Sequence, residues 1–148
     1  KVVKKRIWGS MDRYRSTEVV LRVLAFGDQL EAYDGNLARF LNDYMQSKSI
    51  LLDADFAETK ADLCKVAEYA RKVVSVETRK KVSLALVEAV LVGLYVNLAK
   101  LSGKSESELA NAYLELKSKP SFAESARYAV SSVENVKTRL AVAIDSFG

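Results

Sequence analysis

The chain has 148 residues, of which 49% are hydrophobic and 28% charged, so its length and composition are those of one globular domain. It contains no histidine, which excludes serine–histidine and cysteine–histidine nucleophile pairs, imidazole zinc sites and nuclease centres of the HNH type. The formal net charge of +4 is concentrated at the start of the chain.

Phosphate-binding loops and cysteine chemistry are excluded as well. Neither Gly-x-x-x-x-Gly-Lys nor Gly-x-Gly-x-x-Gly occurs in the sequence. The single cysteine, Cys64, excludes an intramolecular disulfide and thiolate clusters, and its helical surroundings predict a small buried apolar residue. We therefore predict no catalytic residue, no metal site and no cofactor in this chain.

Residues 1–15 form a basic segment in which Trp8 is embedded. One interpretation is contact with DNA through phosphate neutralisation and stacking, and the alternative is a solvated segment that follows a preceding domain. The chain starts without a methionine and without a signal-peptide layout, so we expect residues 1–148 to be a single-domain fragment of a longer cytoplasmic protein. The basic residues of this segment, predicted to bind DNA, are Lys1, Lys4, Lys5, Arg6, Arg13 and Arg15.

The first helix is predicted over 17–33, because apolar residues recur there with the helical period and Asp34-Gly35 supplies a stop. Arg22 lies at the edge of this apolar stripe, one turn after Glu18, so an ion pair between the two is expected. A second helix is predicted over 36–46 and a third over 54–74. The third is predicted to bury Phe56, Leu63, Val66, Ala67, Ala70 and Val73.

Three acids lie close to one face of the third predicted helix, namely Asp55, Glu58 and Asp62. A divalent cation could use such carboxylates. The alternative is a solvated acidic face near a helix N-terminus, where the helix dipole favours negative charge. The second interpretation is favoured because no other element supplies matching carboxylates.

Residues 82–101 are apolar almost all round, and such a segment is long enough to cross a bilayer. Glu88 and Asn97 interrupt it, and a charged side chain at mid-membrane costs about 2.5 kcal/mol or more. A helix at the centre of a bundle, with no membrane contact, explains both features. Glu88 is then a buried or half-buried acid that requires a partner, and Arg22 or a lysine is the predicted one.

The rest of the chain predicts three further helices. Ser105 with Glu108 forms a capping box at the start of the fifth, Pro120 opens the sixth, and Ser131 with Glu134 caps the last. The sixth helix is predicted to carry Phe122, Ala126 and Ala129. The predicted fold is therefore all-α, with about seven helices bundled around the apolar helix at 82–101.

Residues 13–45 also carry a family resemblance. The sequence reads RYRSTEVVLRVLAF at 13–26, Tyr-Asp-Gly at 33–35 and FLNDYM at 40–45, with a looser match in LVEAVLVGL at 86–94 and in the Val-x-x-Arg-Leu of the last helix. This pattern resembles the helical C-terminal part of the GmrSD-type restriction endonuclease N-terminal family, domain of unknown function 262. The residues that carry the motif are Glu18, Arg22, Phe40, Leu41, Tyr44, Met45 and Glu88.

The resemblance implies a two-part module. In that family a ParB/sulfiredoxin-like domain upstream binds and hydrolyses nucleotide, the helical part packs behind it, and an HNH nuclease follows or comes from a partner. This chain lacks the Asp-Gly-Gln-Gln-Arg-type nucleotide motif and any histidine, so the family's catalysis is not assigned to it. The resemblance implies a scaffold role for this chain. Glu18 and Arg22 would then either face the upstream domain or fix the position of the first helix.

Three hypotheses follow. The leading one is a non-catalytic helical domain of a GmrSD-like restriction or phage-defence protein that contacts DNA through its basic segment. The second is a free-standing helical adaptor that binds protein through an apolar groove. The third is a carboxylate-metal hydrolase that uses Asp55, Glu58, Asp62 or Glu88.

Overall fold

The all-α prediction is confirmed in a computed structural model, which describes residues 13–50, 53–74, 76–77 and 82–148. These residues contain eight α-helices and one short 3-10 turn, Leu30–Ala32, and no strand. The helices are α1 (Arg13–Gln29), α2 (Leu37–Ser47), α3 (Asp53–Val74), α4 (Leu84–Val96), α5 (Leu98–Leu101), α6 (Glu106–Ser118), α7 (Pro120–Ser125) and α8 (Val133–Phe147).

Helix α4 is apolar on nearly every face, and nine of its 13 residues are buried. It packs against α1, α3 and α8. The contact with α8 depends on Gly93, because a Cβ atom there would lie 2.8 Å from both the Ala143 carbonyl oxygen and Phe147 Cδ2. A glycine at this point therefore sets how closely the two helices approach.

The single helix predicted over 82–101 is two helices in the structure, which raises the number from seven to eight. Helix α4 ends at Val96, and α5 begins at Leu98. The Asn97 side chain donates to the Gly93 carbonyl at 3.0 Å and to the Ile144 carbonyl of α8 at 2.7 Å. Asn97 therefore interrupts the helix because its amide bonds locally to the backbone and fixes the break against α8.

Polar side chains cap the start of four of the described helices, α2, α4, α6 and α8. The Ser105–Glu108 capping box predicted from the sequence is present, and Pro120 occupies the first turn of α7 as predicted. The predicted cap at Ser131 is wrong. Ser132 is the N-cap of α8 and accepts from the Asn135 amide, whereas the Ser131 carbonyl accepts a bond from Tyr33.

The burial predicted for α3 holds only in its C-terminal half. Val66, Ala70 and Val73 are buried, as predicted. Phe56 is 67% exposed, and the predicted burial of Cys64 is also wrong, because this thiol is exposed. Leu63 is half-buried and Ala67 is exposed. The first half of α3 therefore contributes little to the core, and its residues from Asp55 to Asp62 border a groove.

An aromatic cluster connects α1 and α2. The Phe26 ring lies 5.1 Å from Phe40 and 5.4 Å from Tyr33, centroid to centroid. Such contacts add to the apolar area that the rings bury. They hold the turn between α1 and α2, with Gly35 at its left-handed position (φ 97°), against the bundle.

Within the described ranges, no helix has the length and apolarity that a bilayer crossing requires.

Candidate functional site

The most heavily organised polar site surrounds Glu88, whose side chain is 1% exposed in the middle of α4. Its Oε2 accepts from Arg22 Nη1 of α1 at 3.0 Å, and its Oε1 accepts from Arg139 Nη2 of α8 at 2.7 Å. Each carboxylate oxygen is thus bound by a different guanidinium. The site consequently joins three helices through one buried carboxylate.

Arg22 connects the buried carboxylate to the surface. Its Nε and Nη2 donate to Glu18 Oε1 at 3.0 and 2.5 Å, so the predicted Glu18–Arg22 pair is present. Of the two kinds of partner predicted for Glu88, Arg22 or a lysine, the structure shows Arg22. Burial alone lowers the pKa of Arg22, but the hydrogen bonds to Glu18 and Glu88 outweigh it and raise that pKa. The Arg22 guanidinium therefore stays charged at any physiological pH.

Arg139 fixes the loop between α7 and α8. Its Nη1 donates to the Val130 carbonyl, and the Tyr33 hydroxyl donates to the adjacent Ser131 carbonyl at 2.8 Å. Arg139 Nε is buried without a hydrogen-bond partner in the part of the chain that the structure describes. Burial raises the pKa of Tyr33, so its hydroxyl remains a donor at neutral pH.

A small cavity of about 210 Å³ adjoins these groups, lined by Phe26, Leu37 and Val136 as well as by the charged residues. Both oxygens of Glu88 are already engaged by guanidinium groups, so the carboxylate is not free to coordinate a cation or bind a substrate. Such a cluster acts chiefly to orient the helices that it joins.

Most of the other motif residues lie nearby in the core. Phe40, Leu41 and Tyr44 are buried on one face of α2, whereas Met45 is 48% exposed. Glu18, also a motif residue, has a half-exposed side chain. The residues that carry the resemblance are therefore mainly core and ion-pair residues.

Four of the six predicted DNA-binding residues lie outside the described residues, namely Lys1, Lys4, Lys5 and Arg6. Arg13 and Arg15 lie in the first turn of α1, but their side chains are also outside the described part.

A second polar cluster surrounds Asp28, near the end of α1, and was not identified from the sequence. The hydroxyls of Tyr44 and Tyr95 donate to its two oxygens at 2.7 and 3.1 Å, and Lys48 Nζ lies 3.1 Å from Oδ2. The Tyr95 ring lies so close to Gly27 that a Cβ there would be 2.4 Å from Cδ1. This contact marks the point where α1 and α4 approach each other. The spacing of residues along the sequence does not predict it, because Gly27 and Tyr95 come together only in the folded chain.

The two tyrosines predict a fall in stability at alkaline pH. Burial and Asp28 raise the pKa of Tyr44 above its ordinary value and that of Tyr95 to about 12. Because the folded-state pKa values are raised, the stabilisation is complete below about pH 10, the unfolded pKa, and is lost as pH rises toward 12. Urea unfolding across this range should show a shallower loss for a Tyr44→Phe/Tyr95→Phe variant than for the unaltered chain.

The exposed Tyr128 supplies the control for that measurement. Tyr128→Phe should leave the pH dependence of the unfolding free energy unchanged, because its side chain is 67% exposed. Equal alkaline losses in the unaltered chain and in the double variant would contradict the assignment to Tyr44 and Tyr95.

The acids proposed for a metal hydrolase are not gathered into a metal site. Among the described residues, no group of three or more His, Cys, Asp or Glu side chains is placed to hold an ion. Asp55, Glu58 and Asp62 line a groove beside Asp28, and Asp62 pairs with Lys65 at 3.0 Å. The Glu88 carboxylate lies at a different site, where it accepts hydrogen bonds from Arg22 and Arg139.

No protein family, curated protein or solved structure matches this chain.

Proposed function

We propose that this chain is a non-catalytic helical domain of a GmrSD-like restriction or phage-defence protein. Its role is to support an upstream ParB-like nucleotide-dependent domain and to contact DNA through its basic segment. The chemistry of nucleotide and DNA cleavage belongs to other parts of that system, since the sequence lacks the residues for it.

The observation that supports this most strongly is the contact between Arg22 and Glu88. These residues belong to two separate passages of the motif and lie 66 positions apart in sequence, yet their side chains are hydrogen-bonded at 3.0 Å. Arg139, from the Val-x-x-Arg-Leu passage of the last helix, completes the same cluster. Residues from separate passages of the family pattern thus contact one another in one buried cluster. Such contacts are expected if the pattern specifies a shared arrangement of helices.

The exposed side of this centre is the natural face for a neighbouring domain. Glu18 is 46% exposed, while Arg22 bridges from Glu18 to the core. A domain that contacts α1 would therefore be coupled directly to the Arg22–Glu88 pair. This arrangement reconciles the two roles considered for Glu18 and Arg22, which are contact with the upstream domain and fixation of the first helix.

The DNA-binding part of the proposal predicts strongly salt-dependent affinity. Replacing Lys4, Lys5 and Arg6 with alanine should weaken binding to a duplex and lower the slope of log K against log salt by about 0.9 for each phosphate that is no longer neutralised. Fluorescence anisotropy of a labelled duplex, titrated with the full chain at several salt concentrations, measures both quantities.

A matched variant controls for net charge. Lys60, Lys100 and Arg127 are exposed basic residues outside the basic segment, and changing them to alanine removes the same charge. This variant should retain most of the salt slope. Absence of binding at low salt, or equal losses in both variants, would contradict the role of the basic segment. Nuclease or nucleotidase turnover by the chain alone would contradict the non-catalytic assignment.

One observation favours the second candidate, a protein-binding adaptor. The groove beside Asp28, about 540 Å³ in volume, presents Phe56 and Met45 as exposed apolar side chains. Apolar surface of this kind on a small domain is typical of a binding site. The two candidates differ in their partner, since the adaptor role requires no DNA affinity.

A further inference from the structure

The cavity of about 210 Å³ beside the buried ion-pair cluster, called here the arginine cavity, has two kinds of wall. Phe26, Leu37 and Val136 supply apolar surface, and the side chains of Arg22 and Arg139 supply positive charge. Its most exposed lining residues belong to the loop between α7 and α8, so the opening lies at that loop. Drug-sized ligands occupy about 300–1,000 Å³, so this smaller cavity suits a molecule of only a few non-hydrogen atoms.

The two guanidinium groups offer more donors than the described residues accept. Each guanidinium carries five N–H groups. Arg22 makes three hydrogen bonds, which go to Glu18 and Glu88. Arg139 makes two, to Glu88 and to the Val130 carbonyl, and its Nε–H has no acceptor among the described residues. Because a buried donor without a partner is costly, the site is short of hydrogen-bond acceptors.

The charge of the lining favours an anion. Two guanidinium groups and one carboxylate, that of Glu88, line the arginine cavity, so positive charge is in excess. Glu18 balances Arg22 from outside the lining, where its side chain is 46% exposed. The excess charge therefore lies at Arg139, the more deeply buried of the two arginines. A single carboxylate would offset it and supply two acceptor oxygens.

We propose that the arginine cavity binds a small monocarboxylate with a short apolar group. The carboxylate oxygens accept hydrogen bonds from spare N–H groups of Arg22 and Arg139. The apolar group packs against Phe26, Leu37 and Val136, where it is removed from water. A monocarboxylate therefore matches the charge, the surplus of donors and the apolar wall together.

The opening of the cavity is fixed by side chains from other parts of the fold. Arg139 Nη1 donates to the Val130 carbonyl, and the Tyr33 hydroxyl donates to the Ser131 carbonyl at 2.8 Å. Val130 and Ser131 both line the cavity. A site that is formed in advance binds its ligand without the entropic cost of ordering its walls.

A titration of the full chain with butyrate tests the proposal. The side-chain Nε–H signals of Arg22 and Arg139 in heteronuclear NMR spectra should shift with added butyrate and reach saturation. Butyrate should also raise the midpoint of thermal unfolding, because it binds the folded chain only. Acetate should bind more weakly, by about fourfold for each methylene group that is no longer buried.

Matched ligands and variants control this titration. Butyramide has the shape of butyrate without its charge, so neither butyramide nor sodium chloride at equal ionic strength should produce a saturable shift. Val130→Phe places a ring at the opening and should abolish the butyrate shifts. Val20→Phe enlarges a valine outside the lining and should leave them unchanged. The two valines are 38% and 43% exposed, so both variants should fold, which circular dichroism checks.

Each of four results would overturn the proposal. Identical spectra in butyrate and in sodium chloride would mean that the cavity holds only water. Equal shifts with butyramide would mean that the charge is not recognised, and equal affinity for acetate would exclude contact with the apolar wall. Butyrate binding that survives Val130→Phe would place the carboxylate elsewhere. Carboxylate binding depends neither on DNA nor on the family resemblance, so absence of DNA affinity with butyrate binding retained would count against the proposed function alone.

Discussion

Replacing Glu88 with glutamine is expected to lower the free energy of unfolding by about 3–5 kcal/mol, the usual cost of removing one partner from a buried ion pair. The change keeps the side-chain shape but leaves Arg139, 3% exposed, with its charge unpaired in the core. Arg22 is affected less, because Glu18 remains bonded to it. Most of the loss therefore arises from the desolvated guanidinium of Arg139.

Urea unfolding monitored by circular dichroism measures this effect, and Glu18→Gln is its control. Glu18 also binds Arg22, but its side chain is 46% exposed, so its removal should cost about 1 kcal/mol or less. If both substitutions cost the same small amount, the buried cluster would not contribute to stability in the way its geometry indicates.

Replacing Gly93 with alanine is expected to cost about 1–3 kcal/mol, the typical range for overpacking a close-packed core. The added methyl group would lie 2.8 Å from the Ala143 carbonyl oxygen and 2.8 Å from Phe147 Cδ2. The carbonyl belongs to helical backbone, and the Phe147 ring is fully buried, so neither group can move aside easily. The contact is relieved only if α4 and α8 separate.

Gly103 provides the control for this prediction, because a Cβ there would meet no atom within 4 Å. Gly103→Ala should leave stability unchanged or raise it by about 0.4–1 kcal/mol, since alanine reduces the entropy of the unfolded chain. A comparison of urea midpoints for the two variants tests the close approach. Equal midpoints would mean that α4 and α8 tolerate the extra methyl group.

The fold class and most helix positions followed from periodicity. Val19, Val23 and Phe26 occupy the predicted stripe of α1 and are all buried. The break at Asn97 was not predicted, because an asparagine in an apolar run is compatible with a continuous helix. The Asn97 side chain donates both to the Gly93 carbonyl of α4 and to the Ile144 carbonyl of α8, and the second of these contacts cannot be read from the local sequence.

The errors in α3 have a similar origin. Phe56 and Cys64 belong to a plausible helical pattern, but periodicity does not show how far along a helix its neighbours extend. The buried residues begin at Val66, and the earlier turns border the groove instead. Phe56 fits the apolar pattern of a buried residue but is exposed, and an exposed phenylalanine of this kind indicates a binding surface.

The candidate site was predicted in part. A buried carboxylate in an apolar helix requires a partner, and this argument led to Arg22 or a lysine, of which the structure shows Arg22. Arg139 entered only through the family resemblance, although it is the more deeply buried of the two arginines. It lies beside the apolar stripe of α8, where spacing alone does not distinguish a buried arginine from one at the edge of the core.

A double-mutant cycle between Glu88 and Arg139 tests most directly whether this centre supports the structure rather than performing chemistry. Glu88→Leu alone should be strongly destabilising, because it leaves the Arg139 charge buried and unpaired. Adding Arg139→Leu should recover a large part of that stability, with a coupling energy of about 0.5–3 kcal/mol or more. If the two losses simply add in urea unfolding, Glu88 does not hold α4 to α8, and the structural role proposed for this cluster is contradicted.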